Sequence, residues 1–529
     1  MKAHINILIR FCRSGLWLLP LMPVLPSMAA NDQAAWTLYA QHCAACHGGD
    51  RLGAIGPALL PENLGRLKQD MAFEVIRNGR VATQMPAFSG TLKDDDIDKL
   101  VDLIYSATAT EPGWGASEIN ASHVVYESAL TKGNASDIKP VYDADPLNLF
   151  LVVESGDHHV TVLDGDRFEP IHRFPSRFAL HGGPKYSSDG RFVYFASRDG
   201  WISKFDMYTL KLVAEIRAGI NTRNAAVSAD DRFVMVGNTL PRTLVILDAG
   251  DLSLVKVIDV KDDHGNSSRV SAVYTAPPRD SFIVALKDIK QVWEINYTDN
   301  PPKVFRGYVH DYRMGEGLAE PGRFPIRMID ADDYLDDFFF DQDYQHLIGA
   351  SRSGKGQVIN LVVGRKIADI DLPGLPHLGS GITWPWRDTT VLATPNLKDG
   401  VVSIIDMKTW KTVKKLETSG PGFFLRSHEN SPYAWVDTFV GPHKDEMHII
   451  DKDKLEIVKT LTPAPGKTSG HVEFTRDGRY ALLSIWEMDG ALVVYDGNSL
   501  QEIKRLPMKK PVGKYNVYNK INLSSGTSH

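Results

Sequence analysis

Hydrophobic positions along the chain follow two periods, and the change from one to the other divides it. Within DDDIDKLVDLIY, Ile97, Leu100, Val101 and Ile104 recur at three- and four-residue spacing, which puts them on one face of a helix. Thr91 with Asp94 resembles a capping box at its start. Upstream, NDQAAWTLYAQH reads as another helix, with Ala35, Leu38 and Tyr39 near one face. Past residue 122 the helical period gives way to short β-rich runs broken by polar turns. Three units show the repeat clearly: DGRFVYFASRDGWISKFDMYTLKLVAEI from Asp189, DDRFVMVGNTLPRTLVILDAGDLSLVKVI from Asp230 and DGRYALLSIWEMDGALVVYDGNSLQEIKRL from Asp477. Each has a polar turn, an apolar strand, a loop, a strand ending near Asp, a short turn and a further strand. Related units begin near Leu147, Asp280, Gln345, Thr389 and Ser431. Roughly eight units spaced by about 40–60 residues predict an eight-bladed β-propeller, with seven blades as the alternative.

The segment between the two patterns is rich in Pro, Gly, Ser and Ala and reads as a linker. The first residues differ from both patterns: Lys2, Arg10 and Arg13, then the apolar run GLWLLPLMPVL, then small residues. That is the order of a secretory signal peptide, with cleavage near Ala29 or Ala30 and a periplasmic destination. The boundaries expected are therefore a signal peptide over 1–29, a helical domain over 30–108, a linker over 109–135 and a propeller over 136–529. No stretch past residue 30 is apolar enough to span a bilayer, so no stable membrane insertion is expected. A net charge of −6 on 529 residues lacks the basic excess that nucleic-acid binding needs.

Of the three cysteines, Cys12 lies in the leader, and Cys43 and Cys46 share the motif Cys43-Ala44-Ala45-Cys46-His47. This is the c-type haem attachment pattern. Two thiols one helical turn apart add to the two vinyl groups, and His47 then lies under the iron. RVATQMPAFSG supplies Met85 in a loop before the amphipathic helix, as the second axial ligand. A thioether there raises the reduction potential and suits electron transfer. A redox dithiol or half a zinc site is the competing reading of the cysteines, a core methionine that of Met85. His42 is the weaker axial candidate.

The order of leader, small class I cytochrome c, linker and propeller resembles the cytochrome cd1-type family, the haem c/haem d1 proteins of denitrification. FALHGGPKYSSDGRFVYFASRDG is similar to the family segment bearing the proximal haem d1 histidine, here His181. GINTRNAAVS resembles the next blade's inward loop, with Arg223. LPHLGSG resembles the loop that places a histidine over haem d1, here His377, and VGKYNVYNK resembles the C-terminal strand. The resemblance implies non-covalent haem d1, or dihydro-haem d1 as substrate, beside covalent haem c. It also implies an external electron acceptor. Arg198 and Arg223 could hold the tetrapyrrole carboxylates, because a guanidinium offers a planar donor fork.

Nitrite reductases of the family use two distal histidines, and only His377 is matched here; the second position falls near Asp336. His346 reads as structural. TSGHVEFTRDGRY supplies His471 at an inner strand edge, where the biosynthetic members also carry a histidine. The resemblance is therefore closer to the dehydrogenase branch, which converts a propionate of dihydro-haem d1 to an acrylate. His377 and His471 are its candidate catalytic residues, and a nitrite reductase is the expected recipient of the product. Nitrite reduction to nitric oxide, or a carrier without turnover, are the alternatives.

Overall fold

The computed structural model describes residues 30–54, 56–65, 67–80, 85–126, 138–305, 322–351 and 354–523. The expected signal peptide and the last part of the expected linker lie outside them. Among the described residues, no helix is long and apolar enough to cross a membrane.

Helices Ala30–His42, Ala44–His47, Pro61–Leu64, Gln69–Asn78 and Asp94–Tyr105 form the N-terminal domain. Tyr39, Ile97, Leu100, Val101 and Ile104 meet in its core, as the spacing predicts. Thr91 does not cap the last helix. Its N-cap is Lys93, which makes no side-chain cap bond, and Asp94, Asp95 and Asp96 crowd the first turn instead. Three carboxylates there favour the positive end of the helix dipole. The buried Arg51 guanidinium closes the other end by donating to the carbonyls of Leu103 and Ser106.

Eight sheets follow, so the repeat does make eight blades. Numbered from the N-terminal side, blade 1 spans 149–175, blade 2 185–217, blade 3 221–259, blade 4 270–330, blade 5 337–371, blade 6 382–417, blade 7 425–461 and blade 8 469–508. Strands such as Leu149–Glu154 and Ser281–Leu286 are buried throughout. They read as unbroken apolar runs because neighbouring blades cover both faces. Outermost strands such as Lys411–Glu417 keep polar residues toward solvent. The Asp recurring in the sequence repeat ends a strand and turns the chain. Asp164, Asp206, Asp248, Asp406, Asp451 and Asp496 each accept the backbone N–H two residues on. This Asx turn explains why the residue is repeated.

The ring is closed by its two ends. Pro511–Asn516 becomes the innermost strand of blade 1, pairing from Phe150↔Asn516 to Glu154↔Pro511. The helix Val517–Asn522 follows it, with Val517 fully buried.

Residues 109–126, expected as linker, carry structure. Helix Ala116–Ala121 buries Ile119 completely, and Val124–Val125 pairs with Glu215 and Ala214 as a fifth strand of blade 2. The physical reason is Trp114, whose indole N–H donates to the Arg217 carbonyl at 2.8 Å, while the Arg217 guanidinium lies 4.5 Å over its ring. Arg217 also donates to the carbonyls of Leu52 and Gly53 in the helical domain. Ala58 and Leu60 complete the seam by packing with Ile220 and Leu240 of the propeller.

Candidate functional site

Cys43 and Cys46 are free thiols at the start and end of one helical turn, with no disulfide between them. His47 is buried, and its Nδ1–H donates to the Pro57 carbonyl at 2.8 Å. That bond fixes the ring and leaves Nε2 free to coordinate an iron. A Cβ on Gly56 would stand 2.8 Å from the His47 ring, so only glycine lets the backbone pass there. Met85 packs at the edge of the helical core. Cys43, Cys46, His47, Met85 and His42 all line one cavity of about 1310 Å³. Two thiols, an oriented imidazole and a thioether around one cavity fit a covalent haem.

The same cavity runs on to His181 and Arg198 of the propeller. His181 sits before the innermost strand Lys185–Tyr186 of blade 2. Its Nδ1–H donates to the Arg223 carbonyl at 2.8 Å, and its Nε2 faces the guanidinium groups of Arg198 at 2.8 Å and Arg223 at 3.3 Å. Gly182 and Gly183 take φ of 82° and 68°. A Cβ on the first would approach Asn224 to 2.7 Å and on the second the Tyr515 ring to 3.1 Å. The two glycines therefore bring this loop against the channel wall, where an oriented imidazole stands between two guanidinium groups. That set suits an iron tetrapyrrole with acidic side chains.

His377 starts a short turn at blade 6. Its Nδ1–H donates to the Phe423 carbonyl at 2.7 Å, and its ring lies 4.4 Å from that of Phe423. Burial holds it below the usual imidazole value, opposed by the nearby Asp337 carboxylate. His471 is fully buried in blade 8, its ring between Phe424 at 4.6 Å and Tyr515 at 5.0 Å. Burial, then Lys514, push its pKa well down. Its φ of 54° is a left-handed conformation that a histidine rarely takes, at a bulge between Gly470 and Val472. The two histidines thus share an aromatic cluster, with Phe423 and Phe424, 4.6 Å apart, between them.

The carboxylate near His377 is Asp337, not Asp336. Asp336 turns away to Lys287 at 3.5 Å. Asp337, on the innermost strand, accepts the Tyr274 hydroxyl at 3.0 Å and lies 3.9 Å from Arg223. A shift of one residue on a strand reverses the side, which is why a sequence match alone misassigns it. His346 is structural: Asp341 accepts from its Nδ1 at 2.6 Å, and Asn360 donates to its Nε2. His158 and His159 both line the cavity, with His158 Nε2 unpartnered.

Reading the sequence missed a second set. Lys185, Arg426 and Lys514 sit on innermost strands, and Lys520 lies 5.7 Å from the Tyr515 ring. Burial brings the Lys185 ammonium down to about 8 and lowers Arg426, Lys514 and Lys520 as well. Asp337, Asp437 and Glu473 face them, and burial raises Asp437 to about 6. Lone charges inside otherwise apolar inner strands were the available signal. Counted with Arg198 and Arg223 near His181, the six cations outnumber these three carboxylates, which matches an anionic ligand.

Residues 144–520 match the family described as Cytochrome D1 heme domain, and residues 30–104 match one described as Cytochrome C oxidase, cbb3-type, subunit III. The chain is 57% identical to the Dihydro-heme d1 dehydrogenase of Pseudomonas aeruginosa over 94% of its own length and 97% of that protein. It is 24% identical to a Nitrite reductase of Stutzerimonas stutzeri over 94% of both chains. A solved structure of Dihydro-heme d1 dehydrogenase NirN in complex with DHE matches with a TM-score of 0.85 and 57% identity. It covers 92% of this chain and 100% of that one. An N-terminal cytochrome c domain for haem c and a propeller for a d1-type haem are thereby established, and the chain belongs to the cytochrome d1 heme domain family.

Proposed function

We propose that this protein is a periplasmic dihydro-haem d1 dehydrogenase that converts one propionate side chain of its substrate to an acrylate. The observation that carries the reading is the single cavity reaching from Cys43, Cys46 and His47 to His181 and Arg198. A redox group and a tetrapyrrole held along one cavity wall suit oxidation of the second with electrons leaving by the first. The 57% identity to a protein of that name supports it, and the basic, apolar, small-residue leader supports the location.

The reaction removes two hydrogens from –CH₂–CH₂–COO⁻ as two protons and two electrons. Arg198 and Arg223 would pair with substrate carboxylates, and His181 Nε2 would take the iron. His377, oriented through Nδ1, offers Nε2 as proton acceptor. His471 assists from behind the phenylalanine pair. Cys43 and Cys46 would hold haem c, with His47 and Met85 as ligands to its iron, and it would supply a one-electron acceptor used twice for each substrate. An external acceptor then reoxidises the protein, and a nitrite reductase is the natural recipient of the product.

Anaerobic mixing of the reduced-substrate form, dihydro-haem d1, with the oxidised protein and an excess of an external one-electron acceptor should convert its absorption spectrum to that of haem d1, faster than the acceptor does alone. No conversion would reject the reading. Loaded with mature haem d1, the protein should turn nitrite over slowly, because the Asp337 carboxylate near His377 repels the anion. Rapid, sustained nitric oxide formation would favour the reductase alternative. Met85→Ala should abolish the weak near-infrared band of Met-ligated ferric haem c, and His181→Ala should change the tetrapyrrole spectrum while leaving haem c intact. Persistence of the first band, or an unchanged second spectrum, removes the respective ligand.

A further inference from the structure

We propose that Asp437 is a positioning residue that sets the tautomer of His377 through a single peptide unit and holds the main chain of His471 with the same carboxylate. This rests on the dehydrogenase reading. Asp437 ends strand Tyr433–Asp437 of blade 7 and is completely buried. Its Oδ1 accepts the Phe423 N–H at 2.6 Å, and both oxygens lie 3.2 Å from the Phe424 nitrogen. Its Oδ2 also accepts the His471 N–H at 3.3 Å.

The Phe424 N–H and the Phe423 carbonyl belong to one peptide unit. Asp437 therefore accepts from one end of that unit, while its other end accepts from His377 Nδ1–H at 2.7 Å. Hydrogen bonds in such a chain polarise one another. A negative charge on the N–H side makes the Phe423 oxygen a stronger acceptor. That favours the proton on Nδ1 and leaves Nε2 basic, the role a directly bonded carboxylate plays for a catalytic histidine. Here the carboxylate acts across a peptide.

The contact to His471 serves the second candidate base. Its backbone is left-handed, its N–H is held by Asp437, and a Cβ on the preceding Gly470 would meet Asp437 Oδ2 at 2.9 Å. Asp437 thus ties the blade 7 loop to blade 8 where the two histidines converge. Three backbone N–H groups on both oxygens of one carboxylate require a group with acceptors on both sides.

The test is Asp437→Asn in the holoprotein. Its side-chain amide keeps the volume, removes the charge and turns a donor toward one of the three N–H groups. The variant should bind dihydro-haem d1 with KM within about threefold of wild type, while kcat falls about tenfold or more, as expected when a base loses its orientation. Asp437→Glu should recover part of the loss. Nitrogen NMR of histidine-labelled, reduced protein, with His377 identified by its absence in His377→Ala, should show the proton on Nδ1 in wild type and a mixed tautomer in Asp437→Asn. A proton on Nε2 in wild type overturns the proposal, whatever the variants do. So does an Asp437→Asn protein with wild-type kcat and tautomer. Failure of wild type to oxidise dihydro-haem d1 would instead reject the dehydrogenase reading, since the tautomer is read without turnover.

Discussion

His377→Ala should lower kcat for dihydro-haem d1 by about 100-fold or more while changing KM less than about threefold, because a proton acceptor acts in the chemical step. The ring has one oriented nitrogen bonded to the Phe423 carbonyl, so alanine removes the acceptor without unpairing a buried carboxylate. His471→Ala should also reduce kcat, by about tenfold or more, for a different reason. His471 has no open face: it is 1% exposed, between Phe424 and Tyr515, with Lys514 donating to its carbonyl. Its loss leaves a void in that cluster and releases Tyr515 and Lys514, so the melting temperature should drop as well. Single-turnover kinetics under anaerobic conditions separate the two. If either variant oxidises the substrate at the wild-type rate, that histidine is structural.

A chain ending at Lys510 should not form a stable propeller. It loses the innermost strand of blade 1, whose register is fixed by five residue pairs, and the helix that buries Val517 and Asn519. Ladder hydrogen bonds at about 1 kcal/mol each and a buried valine at about 1.5–3 kcal/mol together approach the roughly 5–15 kcal/mol that separates folded from unfolded domains. The edge of Leu149–Glu154 would also be exposed as a template for aggregation. Circular dichroism melting of the soluble fraction is the measurement. A truncated protein with unchanged melting temperature and tetrapyrrole binding would show that closure is dispensable.

Residues whose chemistry demands contiguity were legible in the sequence. Cys43, Cys46 and His47 must be close in sequence to hold one group, and the Asx turn recurs at the same place in each blade, with Asp in six and Asn296 and Asn360 in blades 4 and 5. The loop of His181 is marked in the sequence by the two glycines that follow it. Asp437 was not, because its partners Phe423, Phe424 and His471 come from separate strands and loops, and nothing local distinguishes it from any strand-ending Asp. The same holds for Lys514 and Tyr515, which acquire their surroundings only when the ring closes. Asp336 and Asp337 cannot be told apart by local sequence, because which of two adjacent carboxylates approaches His377 depends on the strand register. Composition hides the structure within 109–126, since Trp114 and Ile119 outweigh the Gly, Ser and Ala around them once Arg217 and the blade 2 edge are in place.

The seam at Arg217 means that the cytochrome domain of this chain is not a detachable module. Ala58 and Leu60 are 1% and 0% exposed and pack in one cluster with Ile220 and Leu240, with Trp114 against it, and the carbonyls of Leu52 and Gly53 face a guanidinium that belongs to the propeller. Cut free, the domain would present an apolar patch beside its own haem cleft and would self-associate rather than behave as a small soluble carrier. Grafting it onto another protein would require polar replacements at Leu52 and Leu60 first, and exchanging it for an unrelated cytochrome would require that newcomer to bring its own match for Trp114 and Arg217.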